Sequence, residues 1–374
     1  MSDHKVLSAL LRPFFRKGAE AGFSLPGALR DDARLLCIDA GQLCDVLFHV
    51  PLLTAIRRRF PGSTMDFLMP EKHAPLVVPS GLARQCLLYK PGQLNPWRPS
   101  FASLLRQVQA GGYDLAVLMA HEPQPSLEMV ALASGAALRY GPSHPGAWPA
   151  INFELRSDPD GYLGDRLRHA APLLGIAPGE LKTRWPLPLD KLRQMAQQVH
   201  FHKPNPQQLL VGIDPGPPLV GAAVPLETWQ AVARALSGHL QCRVLALSHP
   251  DHAEAVARFE VLLANPAAGL GRETLLEVVL LLSHCDLFLA ANADTFHFAI
   301  AAGVPTVGLF APEVPACWRP RGRPGVVLIE PGEGGRCEPE RLLAAVDEAL
   351  AGRRREAAAT PPPSGTRIPD VTGA

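Results

Sequence analysis

No apolar run in the chain reaches the roughly 20 residues of a membrane-spanning helix, so the sequence predicts a soluble protein. No C-x-x-C pair is present either. The seven cysteines, Cys37, Cys44, Cys86, Cys242, Cys285, Cys317 and Cys337, are odd in number and widely spaced. That pattern argues against a disulfide framework and a zinc site, and for reduced thiols in a cytosolic compartment. His249 and His252 flank Asp251 without a third ligand at a suitable spacing, so no metal is expected. Neither sign of charge is in excess: 36 basic against 35 acidic residues leave a net +1, which gives no basic face for a nucleic acid. A G-x-S-x-G elbow and a Walker loop are both missing, which removes the commonest hydrolase and P-loop readings.

What is present is a chain of 374 residues, 47% apolar and 19% charged, long enough for two globular domains each with its own core. Its N-terminal segment Lys5–Lys17 (KVLSALLRPFFRK) mixes apolar and basic residues, and no small-residue cleavage site follows it. Residues 1–30 therefore read as a leader helix. Packing on the domain it precedes is favoured over peripheral contact with the anionic cytoplasmic face of the inner membrane.

Strand-like runs at Leu35–Asp39, Met65–Met69, Cys86–Tyr89, Leu115–Met119 and Leu138–Gly141 alternate with helical patterns. One such helix runs from Asp45 to Arg59 with Val46, Val50, Leu53 and Ile56 on one face, and Pro51 is expected to kink it or mark its first turn. A further helical stretch is read at Tyr162–Leu174. After a Pro- and Gln-rich boundary at Phe201–Gln208 the alternation repeats, through strands Leu209–Ile213, Arg243–Leu247, Leu287–Leu289, Thr306–Phe310 and Val326–Ile329. A last helix covers Glu340–Leu350, and the polar residues from Arg353 onward read as a disordered tail. The fold class is α/β, with two Rossmann-like parallel-sheet domains facing across a cleft and ligands at the carboxyl ends of the strands.

The most informative stretch is Ser283–Pro312, which reads as strand, polar loop, short helix, Gly-Val-Pro stop and strand. Asp294 and Thr295 are good N-cap residues, and the unpaired amides of such a helix start favour a phosphate or carboxylate. His297, in the first turn, either adds a donor to that anion or packs. The segment resembles the donor-site signature of glycosyltransferase family 9, the ADP-heptose:lipopolysaccharide heptosyltransferases. That signature runs Asp-Ser/Thr-Gly-x-x-His-x-Ala-x-Ala, then Gly-x-Pro, a strand and Phe-Gly-Pro. His297, Ala299, Ala301, Gly303, Pro305, Phe310 and Pro312 match, whereas Asn292, Ala293 and Asp294 stand where the family has Asp, Ser/Thr and Gly. A second alignment puts Asp294-Thr295 on the family's Asp-Thr and deletes two residues.

Three other segments extend the resemblance. Cys44-Asp45-Val46-Leu47 is similar to the family's Gly-Asp-Val-hydrophobic, which implies that Asp45 is the catalytic base; without the family it reads as a helix N-cap. In Asp214–Pro225, Pro215, Gly216 and Pro225 match a phosphate loop whose Lys is replaced by Ala222, with Arg319 and Arg321 as candidate substitute cations. Gly271–Leu275 resembles a segment beside the nucleotide, where Thr274 would meet base or ribose; an ordinary capped helix is the other reading.

The resemblance implies a GT-B-type inverting glycosyltransferase needing neither metal nor cofactor, with a nucleotide sugar as donor and a glycan or glycolipid such as lipopolysaccharide as acceptor. Asp45 would be catalytic, and Asp214, Gly216, Thr274, Asn292, Asp294, Thr295, His297 and Arg319 would bind donor. Residues 31–200 would form the acceptor domain, 201–352 the nucleotide-sugar domain and 353–374 the tail. Two rivals remain: a catalytically impaired or repurposed nucleotide-sugar-binding protein, and a sugar-nucleotide epimerase on a similar scaffold.

Overall fold

The computed structural model describes residues 29–155, 158, 160–168, 170–181, 184–202, 205, 207–263 and 272–359. Most of the leader read over residues 1–30 lies outside them, as do residues 360–374 of the tail.

The first lobe is a six-stranded sheet of β1 (Arg34–Asp39), β2 (Thr64–Pro70), β3 (Gln85–Tyr89), β4 (Leu115–Met119), β5 (Leu138–Pro142) and β6 (Phe153–Leu155), in the order β3-β2-β1-β4-β5-β6. The second is a five-stranded sheet of β7 (Leu209–Ile213), β8 (Cys242–Ala246), β9 (Leu287–Ala290), β10 (Thr306–Leu309) and β11 (Val326–Ile329), in the order β11-β10-β9-β7-β8. Every pairing is parallel. Both are doubly wound orders, so the chain reverses direction across the sheet between β1 and β4 in one lobe and between β7 and β9 in the other. Each reversal opens a crevice at the carboxyl ends of two neighbouring strands. The strands expected from sequence are found; the short β6 was not expected, because Phe153–Leu155 is too brief to stand out as an apolar run.

Helices α1 (Leu43–Arg59), α2 (Ala74–Val77), α3 (Pro99–Gln109) and α4 (Pro125–Ala133) serve the first sheet. The segment read as a helix over Tyr162–Leu174 is instead two 3₁₀ turns, Leu163–Arg168 and Ala171–Leu174; Pro172 and Gly175 interrupt any longer ladder. A connecting helix α5 (Leu189–His202) packs on α8 of the second lobe, which also holds α6 (Leu226–His239), α7 (Ala253–Glu260), α8 (Leu275–Leu282), α9 (Asp294–Ala302) and α10 (Pro339–Ala359). The last helix outruns its expected end at Leu350 and continues past Arg353 into the segment read as tail. Residues 353–359 are Arg, Glu and Ala, all good helix formers, and no proline occurs before Pro361.

Thirteen of the seventeen residues of α1 are buried, on all its faces, so this helix is sandwiched rather than laid on a surface. Its apolar residues share one continuous core with α8 and α9, which joins the two lobes. Pro51 sits inside α1 and not in its first turn. At the far end of the second sheet, Gly303 adopts φ 73°, a left-handed conformation that ends α9 where the sequence predicted.

Gly308 on β10 has no room for a side chain: a Cβ there would lie 2.7–2.8 Å from Phe296, Phe310 and Leu328. Gly308→Ala is expected to lower stability by about 1–3 kcal/mol through overpacking. Urea unfolding of both proteins checks this, and equal midpoints would contradict such close packing.

Candidate functional site

Each crevice holds a buried carboxylate tied to the segment that follows the neighbouring strand. In the first lobe β1 ends at Asp39, a turn through Gly41 follows, and α1 brings Asp45 into its first turn. The loop after β4 supplies His121, whose backbone N–H lies 3.3 Å from Asp45 Oδ2 and whose Nδ1 lies 2.9 Å from the same oxygen. Asp45 is almost wholly buried, and the ring of Trp318 stands edge-on to His121 with centroids 5.0 Å apart. His121 carries no spacing signal in the sequence; only the adjacency of β1 and β4 reveals it. Beside it, Arg166 is also buried and donates through Nη2 to Ala120 O at 2.8 Å, while its Nε and Nη1 find no partner among the described residues. A buried guanidinium without a carboxylate is costly, which makes this cation conspicuous.

In the second lobe, Asp214 follows β7. Its carboxylate accepts the Gly216 N–H at 2.7 Å and the Thr295 hydroxyl from the first turn of α9, which follows β9. Burial raises its pKa, opposed by the hydroxyls of Ser248 and Thr295 and the amide of Gly216. Asp214, Gly216 and Thr295 are thus brought together.

Asp294 and Thr295 do not cap α9 as expected. The N-cap is Ala293, and both side chains turn outward from the helix to other partners. Asp294 Oδ1 accepts the backbone N–H of Cys44 at 2.9 Å, across the junction between lobes. It thereby caps α1, whose own N-cap residue Gln42 makes no side-chain bond. Burial raises the Asp294 pKa, with the Cys44 hydrogen bonds opposing.

His297 and Asn292 are likewise engaged with each other. His297 Nε2 lies 3.0 Å from Asn292 Oδ1 and its Nδ1 lies 2.7 Å from Tyr162 Oη, so a neutral ring with its proton on Nε2 satisfies both contacts. Phe48 from α1, Tyr162 and Trp318 pack around that ring at centroid distances of 5.2–5.7 Å. Burial first, then nearby Arg323, lowers the His297 pKa to about 3. In this arrangement His297 offers no free donor, and the space before α9 is filled by Phe48 and Tyr162 of the first lobe and Trp318 of the second.

Two predicted residues stand apart. Arg319 is buried and spends its guanidinium on Val314 O (3.0 Å), Ala311 O (2.7 Å) and Glu330 Oε1 (2.8 Å), so it rivets the loop after β10 and does not replace the cation missing at Ala222. The Ala222 amide itself meets a carboxylate, Glu313 Oε1, at 2.9 Å. Thr274 caps α8 in a reciprocal box with Glu277. The residues just before it, Arg272 and Glu273, line a cavity of about 450 Å³ whose other wall includes Ser248 and His249. Ser248 also borders Gly216, so this cavity continues the Asp214 crevice. Among the described residues no cluster of three or more His, Cys, Asp or Glu side chains is placed to hold a metal ion, and no helix is long and apolar enough to cross a membrane.

Comparison with known proteins follows this geometry. The model of glycosyltransferase family 9 (heptosyltransferase) matches residues 101–337. A family 9 glycosyl transferase from Veillonella parvula superposes with a TM-score of 0.69 at 17% identity, over 87% of this chain and 99% of its own. E. coli ADP-heptose lps heptosyltransferase II gives 0.63 at 18% identity, over 86% and 99%. E. coli heptosyltransferase WaaC, solved with ADP, gives 0.63 at 14% identity over the same shares. Those identities establish the shared two-lobed GT-B fold. No curated protein matches the chain by sequence.

The neutral His297 makes stability depend on pH. Its folded pKa of about 3 lies below the ordinary 6.5, so the unfolded chain takes up the proton first as pH falls, and stability drops below pH 6.5. Asp214 and Asp294, with raised pKa values, act in the opposite sense, adding stability as pH falls toward the ordinary carboxylate value. His297→Asn is expected to flatten the decline between pH 6.5 and 5 by roughly 1 kcal/mol per pH unit. Parallel slopes in urea melts of the two proteins would show the ring is not held neutral.

Proposed function

The chain belongs to glycosyltransferase family 9, and on that premise we propose that it is an inverting, metal-independent transferase moving a sugar from a nucleoside diphosphate donor to a hydroxyl of a glycan or glycolipid. The observation that carries this reading is the Asp45–His121 pair at one crevice, joined through the Cys44–Asp294 hydrogen bond to the Asp214–Thr295 pair at the other. A base in one lobe and an anion-favouring loop and helix start in the other are the parts such a reaction needs.

In this reading the nucleoside enters the cavity between Ser248 and Arg272, and the diphosphate follows the Gly216 loop toward the start of α9. The lobes must part to admit it, because Phe48, Tyr162, Trp318 and the Asp294–Cys44 bond fill that space in the closed form. Asp45 takes the proton of the acceptor hydroxyl as its oxygen bonds to the anomeric carbon. The opposite bond to the diphosphate breaks, its electron pair going to the leaving phosphate oxygen. His121 orients the carboxylate. Arg166, buried nearby with unspent donors, suits an anionic group on the acceptor. The family's commonest donor, a nucleotide-linked heptose, is the first candidate.

One observation favours the second reading, a nucleotide-sugar-binding protein with impaired transfer. The family Lys is Ala222, Glu313 occupies its amide, and Arg319 is committed elsewhere. Without that lysine, donor binding forgoes a charge-assisted hydrogen bond worth about 1.5–3 kcal/mol.

Calorimetric titration with ADP-, UDP- and GDP-linked sugars identifies the donor. With that donor and an acceptor, Asp45→Asn is expected to reduce kcat by about 10²- to 10⁴-fold while donor affinity stays within about twofold. Undiminished kcat would remove Asp45 as the base. Donor binding without turnover by the unaltered protein would favour the impaired reading, and turnover without acceptor an epimerase.

A further inference from the structure

A second cavity, of about 590 Å³, lies away from both crevices. It is bounded by the C-terminal half of α1, the C-terminal ends of α8 and α9, and the segment leading into α5. Its size falls within the range of small-molecule sites, about 300–1,000 Å³. The wall is apolar and aromatic: Trp185 and Phe298 pack with ring centroids 5.6 Å apart, and Leu187, Leu192 and Val279 continue the surface. Arg58 and Arg184 stand at its edge, both exposed, and neither has a partner among the described residues. Among the described residues no Asp or Glu lines the cavity. His284 adds a ring whose Nδ1 is bonded to Leu280 O at 2.8 Å, which leaves Nε2 available.

An apolar pocket with two unspent guanidinium groups and no carboxylate selects for one chemistry. We propose that this cavity binds an amphiphilic anion, a phosphate or carboxylate head on an alkyl or aryl body, with the head between Arg58 and Arg184 and the body against Trp185 and Phe298. Arg58 belongs to the first lobe, Phe298 to the second and Arg184 to the connection between them. An occupant therefore touches all three parts and favours the closed arrangement. The inference is independent of the donor reading, since no residue of the cavity belongs to either crevice.

Decyl phosphate below its micellar concentration serves as the probe, titrated calorimetrically into the full chain. One site per chain is expected. 1-Decanol and inorganic phosphate should each bind at least tenfold more weakly, because each lacks half of the recognised chemistry. The double variant Arg58→Gln/Arg184→Gln should weaken decyl phosphate binding by at least about 10- to 100-fold, the effect of losing even one of its two charge-assisted hydrogen bonds. Ala302→Trp, which fills the cavity, should abolish binding while the far-ultraviolet spectrum and cooperative melt are kept. Absence of one-site binding, undiminished affinity in the arginine double variant, or inorganic phosphate binding as tightly as decyl phosphate would each overturn the proposal.

Discussion

The junction between the lobes is centred on the Cys44 amide donating to the Asp294 carboxylate, with the Tyr162–His297 hydrogen bond and the Arg323–Asp165 ion pair crossing beside it. Helix α1 is buried on all its faces and packs on α9 of the second lobe, so its first amides are shut off from water and that of Cys44 is satisfied from the facing lobe. Asp294 does this. The starts of α1 and α9 meet at the junction, and each carries the partial positive charge of a helix N-terminus. Two such ends brought together repel. Asp45 in the first turn of α1 and Asp294 in the first turn of α9 supply the compensating negative charge. Burying those carboxylates is itself unfavourable, which is why Asp294 is pushed toward protonation. The junction is therefore a balance of opposed terms.

The same economy explains why the two crevices resemble each other. A doubly wound sheet leaves its opening where neighbouring strands lead to opposite faces, and the segments that follow those two strands reach across it. In the first lobe the reach is Asp45 to His121; in the second it is Asp214 to Thr295. Each acid is held by a group from the segment that follows the adjacent strand, so strand order and not sequence proximity sets its orientation.

That distinction decides what could be read in advance. The strands were legible because a parallel sheet covered on both faces demands near-continuous apolar runs, and LLCID or LLVGI can be little else. Asp45 was legible through its motif. His121 was not: it lies 76 residues from Asp45 in a Pro-rich loop, and its relevance follows only from β4 lying next to β1. Arg166 hid in a stretch whose apolar spacing mimicked an α-helix. Arg319 misled for a related reason. Its sequence neighbourhood offers a cation near a phosphate loop, but the carbonyls of Ala311 and Val314 and the carboxylate of Glu330 capture it first.

Asp294 then acquires a meaning that motif comparison alone would miss. On the alignment that counts back from His297, Asp294 stands where the family signature has Gly, so an aspartate occupies the start of α9 and turns its carboxylate to the facing helix. On the proposed reading, a donor diphosphate must displace this internal anion from the junction before it can approach α9. The bond broken is a charge-assisted one, of order 1.5–3 kcal/mol, which corresponds to about 10- to 100-fold in apparent donor affinity. The substitution does not remove the site so much as set a threshold for opening it. Only a ligand whose phosphates and nucleoside together return more than that threshold, through the Gly216 loop and the adjoining cavity, would hold the lobes in a competent arrangement. Selectivity against smaller anions would then reside in the junction itself.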